Sequence, residues 1–158
     1  NTRREVAKLE KIMEGKMEGK VERNIERTFV IIKPDAVMRN LTGVILMEYE
    51  SNDLHLLKLE MQNATPEILK QHYAEHVEKS FYPDLEKFML SGPLVAMVLE
   101  GEDAIEKVRR LNGATNPDKA EPQSIRGKYG TTTTINCVHG SDSKTSSQRE
   151  IEIWFSEK

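Results

Sequence analysis

The run Thr28-Phe29-Val30-Ile31-Ile32, cut off by Lys33-Pro34-Asp35, constrains this chain more than any other stretch. Consecutive β-favouring residues of that length form a strand, and a proline, which has no N–H for the ladder, stops it. The strand therefore delivers a cation, Lys33, to its own end, where packing has no use for one. A second compact apolar strand spans Leu94 to Leu99.

Helical signals fill the intervals. The spacing predicts a helix over Val44 to Glu50, a strand of partial alternation over Leu54 to Met61, and a helix opened by Thr65-Pro66-Glu67. That opening supplies a cap, a proline at the first position and an early acid, and the helix is expected to run to about Glu75. Another helix covers Tyr82 to Leu90, closed by Ser91-Gly92-Pro93. Glu102 to Leu111 repeats at helical steps through Ala104, Ile105, Val108 and Leu111 until Gly113 ends it. Ala114 to Gly130 reads as loop with a short turn at Ser124 to Gly127, and long loops in compact domains are usually functional or disordered. A short strand ends at His139, and a final helix begins near Ser143, with Trp154 and Phe155 packing inward. Strands and helices in this order imply an α+β fold with one antiparallel sheet.

Residues 1–24 are different, rich in Glu, Lys and Arg. Val6, Leu9, Met13, Met17, Val21 and Ile25 recur at three- or four-residue steps, as an amphipathic helix requires. Gly15 and Gly19 each weaken that helix by about 1 kcal/mol relative to alanine. The stretch reads as a partly helical extension that docks on the domain, frays, or meets another subunit. The remainder, 25–158, fits one domain with a core of its own.

Charge and cysteine content narrow the function. A net charge of −3 supplies no dominant basic surface, so specific nucleic-acid binding is not indicated. Cys137 is the only cysteine, which forbids an intrachain disulfide and fits a reducing compartment. No apolar run approaches membrane-spanning length, and the charged N-terminus lacks the apolar core of a secretory signal. The cytoplasm is the expected location.

The chemistry gathers near Ile135-Asn136-Cys137-Val138-His139-Gly140-Ser141-Asp142-Ser143. A histidine ends a short apolar stretch, and Ser141, Asp142 and Ser143 offer cap oxygens to the next helix, whose first N–H groups favour an anion. Lys33, Arg109, Thr115 and Arg126 could supply positive charge and donors to phosphates, although each alone reads better as a solvated surface group. No Walker-type glycine loop accompanies them. Phe81 and Tyr82 taken alone read as core aromatics. Cys137 and His139, two apart in a strand, could pair as thiolate and imidazole, but a small buried apolar cysteine is the better reading. His72 and His76 have helical spacing for zinc, yet no third ligand is evident, so they read as surface or pocket-rim residues. Thr131 to Thr134 reads as a turn or strand lead-in.

Two segments decide between these readings. Arg27-Thr28-Phe29-Val30-Ile31-Ile32-Lys33-Pro34-Asp35-Ala36, and Asn136 to Ser143 with Glu150 eleven positions after His139, resemble the signatures of the nucleoside diphosphate kinases. The resemblance runs from about Glu26 to Phe155 without obvious insertion or deletion. It implies a ferredoxin-like βαββαβ antiparallel sheet covered by helices, with a long nucleotide-site loop. It also implies a kinase that moves the γ-phosphate of ATP to nucleoside diphosphates by a ping-pong cycle through a phosphohistidine on His139, at Nδ1. Glu150 would orient the ring, with Ser141 close to it. Lys33, Tyr73, Arg109, Thr115 and Arg126 would contact phosphates, and Asn136 with Lys33 the sugar hydroxyls. Phe81 would stack on the base, with Leu85 as the other wall. Mg2+ would be delivered with the nucleotide rather than held in a protein cage. The resemblance further implies a homo-oligomer, hexamer or tetramer, with Pro117 at trimer contacts. Ser80, Gln123 and Lys128 depart from the usual pattern, replacing a proline, a glycine and an aspartate; the charge reversal at Lys128 is expected to lower stability.

Overall fold

The sheet is built around β1 (Ile25–Ile32), which lies between β3 (Leu94–Glu102) and β4 (Val138–Gly140), with β2 (His55–Gln62) outside β3. The order β2-β3-β1-β4 is antiparallel throughout, the ferredoxin-like arrangement of an α+β domain. The structure, a computed structural model, describes residues 2–18 and 23–156, with side chains for 2–13 and 23–156.

The uninterrupted apolar run of β1 follows from its position, because both faces of this strand are covered. Val30 and Ile32 point to one side with Val95, Met97 and Leu99 of β3, joined there by α2 (Pro34–Met38), α3 (Thr42–Glu50), α6 (Ala104–Asn112) and α7 (Ile125–Tyr129). Phe29 and Ile31 point to the other with Leu94 and Ala96, against α4 (Pro66–His72), α5 (Tyr82–Met89) and α8 (Lys144–Phe155). Each large side chain buried in these layers contributes about 1.5–3 kcal/mol. The register Phe29↔Val98 through Ile32↔Val95 keeps every apolar side chain on its layer.

Several boundaries differ from those read along the sequence. Pro34 stops β1 as expected, but it also sits in the first turn of α2, where its fixed φ and missing N–H cost nothing. α4 ends at His72, not Glu75. Tyr73 leaves the helix at φ −100°, ψ 33°, and the chain continues in turns held by His76 N to Tyr73 O, 2.7 Å, and Lys79 N to His76 O, 2.9 Å. β3 extends to Glu102 because its exposed end still has the whole of β1 to pair with. The loop from Ala114 contains a short 3-10 turn, Pro117–Lys119, before α7. The caps read from the sequence are present. Thr65 Oγ1 accepts from Ile68 N, and Ser143 Oγ accepts from Ser146 N.

The N-terminal extension forms α1 (Thr2–Glu18), with Val6, Leu9 and Met13 exposed. The expected contributions of Met17 and Val21 to that face, and the effect of Gly19, lie outside the described residues. Lys128 is exposed, and its Nζ stands 5.5 Å above the Tyr129 ring, a favourable contact for the reversed charge.

Gly113 closes α6 at φ +85°, and a Cβ there would lie 2.2 Å from Ser124 Oγ, the cap of α7. Gly43, inside α3, has nothing within 4 Å of a Cβ. Gly113→Ala is expected to destabilise by about 2 kcal/mol or more, lowering Tm by roughly 4–8 °C, through positive φ and loss of the cap. Gly43→Ala is expected to be neutral or stabilising by up to about 1 kcal/mol. Thermal melts of the two variants check both signs.

Candidate active site

Pairing of β4 with β1 aims the histidine. His139 lies opposite Ile31, so its ring falls on the face of Ile31 and Phe29, 6.1 Å from the Phe29 ring centroid. Ser141 N donates to Phe29 O at 3.1 Å and continues the ladder. A Cβ on Gly140 would lie 2.9 Å from Val108 Cγ1, so only glycine lets α6 pack this close to β4. Behind the ring stands Glu150 of α8, 4% exposed. Its Oε1 lies 3.0 Å from His139 Nε2 and accepts from Ser141 Oγ at 2.6 Å. A carboxylate only accepts, so Nε2 carries the ring proton and the Nδ1 lone pair is left free.

Lys33 enters from the end of β1. Its N donates to Cys137 O at 2.8 Å, and its Nζ donates to Asn136 Oδ1 at 2.8 Å. Asn136 Nδ2 donates in turn to Thr115 O and Thr133 O, tying the two sides of the long loop together. Burial, helped by the neighbouring Arg126 cation, pushes the Lys33 ammonium down to about 7. Arg126 donates from Nη1 to Gly113 O, 2.8 Å, and from Nη2 to Val138 O, 2.7 Å, so its guanidinium joins the end of α6 to β4. Burial also lowers its affinity for its proton. The Tyr73 hydroxyl is buried without a partner, and burial together with the Glu150 charge raises its pKa.

These groups meet in one cavity of about 590 Å³. Lys33, Tyr73, Phe81, Leu85, Arg109, Thr115, Arg126, Asn136, His139 and Glu150 all line it; Ser141 stands behind, against Glu150. Phe81 is 46% exposed at the rim, so it is not the core aromatic it could have been; Tyr82, at 4%, is. Arg149 and Asp142 also line the cavity. The Asp142 carboxyl is held below its usual range, chiefly by the Ser146 hydroxyl. Concentrated donors and cations opposite an imidazole with a free lone pair suit a polyanion that gives up a charged group.

The structure corrects two expectations about histidine and cysteine. His72 is not a surface residue: it is 4% exposed, and its Nδ1 accepts from Trp154 Nε1 at 3.0 Å. His76 does lie at the rim. The clue was in the sequence, since His72 continues the apolar helical phase of Ile68 and Leu69. Cys137 and His139 do not share a face. Cys137 takes φ +74°, which breaks the alternation, and its thiol packs with Val138 in the opposite layer from the imidazole. Burial raises that thiol to about 12, as a small apolar residue requires. Thr131 to Thr134 forms bends, and Thr133 and Thr134 reach the cavity wall.

Among the described residues, His72, His139 and Glu150 have donor atoms within 4.8 Å of one another, close enough for a metal ion. Internal hydrogen bonds already occupy the set, however. The His72 Nδ1 lone pair is held by the indole N–H, and His139 Nε2 by the carboxylate.

Comparison with known proteins agrees with this geometry. The nucleoside diphosphate kinase family model matches residues 26–158. A nucleoside diphosphate kinase of a Nocardioides species is 51% identical over 81% of this chain and 95% of its own length. One from Rhodopirellula baltica is 48% identical over 81% and 84%. Crystal structures of nucleoside diphosphate kinases from Encephalitozoon cuniculi and Aquifex aeolicus superpose with TM-scores of 0.82 and 0.81. Their identities are 38% and 43%, covering 84% of this chain and 90% and 96% of theirs. With its sheet order, its cavity and its sequence all in agreement, the chain belongs to the nucleoside diphosphate kinase family of phosphotransferases.

Proposed function

We propose that this enzyme carries the γ-phosphoryl group of ATP to nucleoside diphosphates in two half-reactions through a phosphohistidine on His139. The hydrogen bond between His139 Nε2 and Glu150 carries the reading, because it leaves Nδ1 as the nucleophile. In the first half-reaction the Nδ1 lone pair attacks the γ-phosphorus. The N–P bond forms while the bond to the bridging oxygen breaks, and the diphosphate leaves with that electron pair. In the second, a terminal oxygen of the acceptor diphosphate attacks the same phosphorus and returns the pair to Nδ1.

The surrounding residues take roles that fit their geometry. Glu150 and Ser141 hold the imidazole, while Lys33, Arg109, Thr115 and Arg126 contact phosphate oxygens. Arg126 uses two of its five N–H groups on backbone carbonyls and keeps the rest for an anion. Tyr73 has a buried hydroxyl for which a phosphate oxygen supplies the missing partner. Asn136 and Lys33 hold sugar hydroxyls, and Phe81 with Leu85 forms the base slot, in which stacking tolerates any base.

Mg2+ enters as part of the nucleotide substrate. The cavity's carboxylates are Glu75, Asp142 and Glu150, and Glu150 is already engaged by Ser141 and His139, so the donor set does not build a cage. Residues 25–158 form the catalytic domain and 1–24 an extension. The enzyme assembles as a homo-oligomer, hexamer or tetramer. Exposed Leu57, Leu59 and Met61 on the outer strand β2 support burial against another subunit. The single buried thiol supports a reducing compartment, the cytoplasm.

Brief exposure to magnesium–ATP is expected to add one acid-labile phosphoryl group, read by intact-protein mass, which disappears as added GDP becomes GTP. His139→Asn is expected to show neither. GTP formed by the wild-type protein without a phosphoprotein would replace the two-step cycle with direct transfer.

Lys33 makes nucleotide binding proton-linked. A free ammonium near 7 that gains a phosphate partner rises, so ADP binding takes up a proton around neutral pH. Affinity is therefore expected to fall as pH rises above about 7, by up to roughly tenfold per unit until the bound-state value is passed. Calorimetry in buffers of different ionisation heat reads the uptake, and Lys33→Met is expected to abolish it.

A further inference from the structure

Glu150 stands between two imidazoles, and only one of them can use it. Its Oε1 is 3.0 Å from His139 Nε2, and its Oε2 is 4.0 Å from His72 Nδ1. The two rings meet edge to face with centroids 4.6 Å apart and an interplanar angle of 75°. A proton on His72 Nδ1 would point a charged donor at the carboxylate that orients His139. Trp154 stands in its way. An indole N–H is a donor only, and it donates to His72 Nδ1 at 3.0 Å, so that nitrogen must present a lone pair.

We propose that Trp154 and His72 are positioning residues that reserve the Glu150 carboxylate for His139: the indole N–H fixes His72 as the neutral tautomer protonated on Nε2. The inference rests on the role of His139 given above. Protonating His72 would set two donors against each other, break a buried hydrogen bond, and place an imidazolium beside Glu150 in competition with His139. Without Trp154 the same ring becomes an acid-operated switch that draws the carboxylate away.

Among the described groups packed on His72, all but Glu150 oppose a proton on it. Burial comes first. Next in weight are His139 on β4, Arg149 on α8, Lys33 at the end of β1, and His76 in the turn after α4. Glu150 on α8 is the one facing group that would favour the proton. Tyr73 and Phe29 add rings with centroids 4.5 and 6.1 Å from that of His72. Cation repulsion and burial thus act with the indole, but the indole alone specifies which nitrogen stays bare.

Two measurements on the full chain test this. Nitrogen–proton correlation NMR of the wild-type imidazoles is expected to show His72 still as the neutral Nε2–H tautomer below the ordinary histidine midpoint, where burial keeps it uncharged. This readout does not depend on how phosphate is transferred. The second is the rate of phosphoryl transfer from magnesium–ATP to GDP against pH for wild type, Trp154→Phe and Trp154→Phe/His72→Gln. Loss of one hydrogen bond is expected to move the acid limb of Trp154→Phe up by about one pH unit, so that its rate deficit grows toward roughly tenfold far down the limb with little change at pH 8. The double variant, which has no titrating ring at position 72, is expected to regain the wild-type limb. A loss in Trp154→Phe, pH-dependent or not, that the double variant does not relieve would reduce the indole to packing and remove His72 from the cause. If Trp154→Phe does not fold, the NMR result stands alone: a bare Nε2, or a charged His72 at pH 6, overturns the proposal. A phosphohistidine on another residue would defeat the His139 reading while leaving the His72 tautomer as found.

Discussion

Three residue pairs, Val30↔Gly140, Ile31↔His139 and Ile32↔Val138, hold the whole site in register. A slip of one residue would carry the imidazole to the opposite face, among Val108, Ile125 and Tyr49 and away from Glu150. The same pairing brings Lys33 N to Cys137 O and so puts the cation and the imidazole at one end of the sheet. The left-handed backbone at Cys137 belongs to this arrangement: the chain must arrive from the loop and enter the pairing within one residue. Such backbone costs about 1–2 kcal/mol in a non-glycine residue, offset here by a buried side chain and the β4 ladder next to it.

Electrostatics in the cavity set binding against stability. Lys33 and the half-buried Arg126 lie near each other with no ion pair to a carboxylate among the described residues; Asp35 is near enough to favour the Lys33 cation, yet both groups lose proton affinity to burial. A fold selected for stability alone would fill these positions with apolar groups. The arrangement makes sense when an anion completes it, since a phosphate restores the charge balance that folding gives up. Glu150 meets the opposite need: its negative charge sits under Ser141 and His139 donors, behind the imidazole it holds.

The fold and much of the site were legible because they rest on local signals. Strand-forming runs, Pro34, the Thr65 and Ser143 caps and Gly113 each act within a few residues, and the elements they imply are present. Lys33 stood out because packing had no use for a cation at the end of an apolar strand, whereas the arginines, which alone read as solvated charges, were picked out by the family resemblance. What escaped depended on long-range contact. His72 read as a surface or pocket-rim residue; it does line the cavity, but its burial went unseen because its partner, Trp154, lies 82 positions away. The Cys137–His139 pair seemed to share a face because alternation assumes regular backbone, which φ +74° denies. Pro34 was read as a stop only, since its second use as a helix opener depends on how residues 35–38 coil against the sheet.

Arg126 shows where the ordering cost of this site is met. Its guanidinium is fixed to Gly113 O and Val138 O by the protein's own backbone, and Asn136 is fixed to both sides of the loop in the same way. The rotamer entropy of these long or forked side chains is therefore lost during synthesis and folding, once per molecule, rather than at each encounter with a nucleotide. A nucleoside diphosphate kinase gains speed from a site that does not reassemble at each encounter with a substrate. Here the rigidity of a single guanidinium becomes a property of turnover.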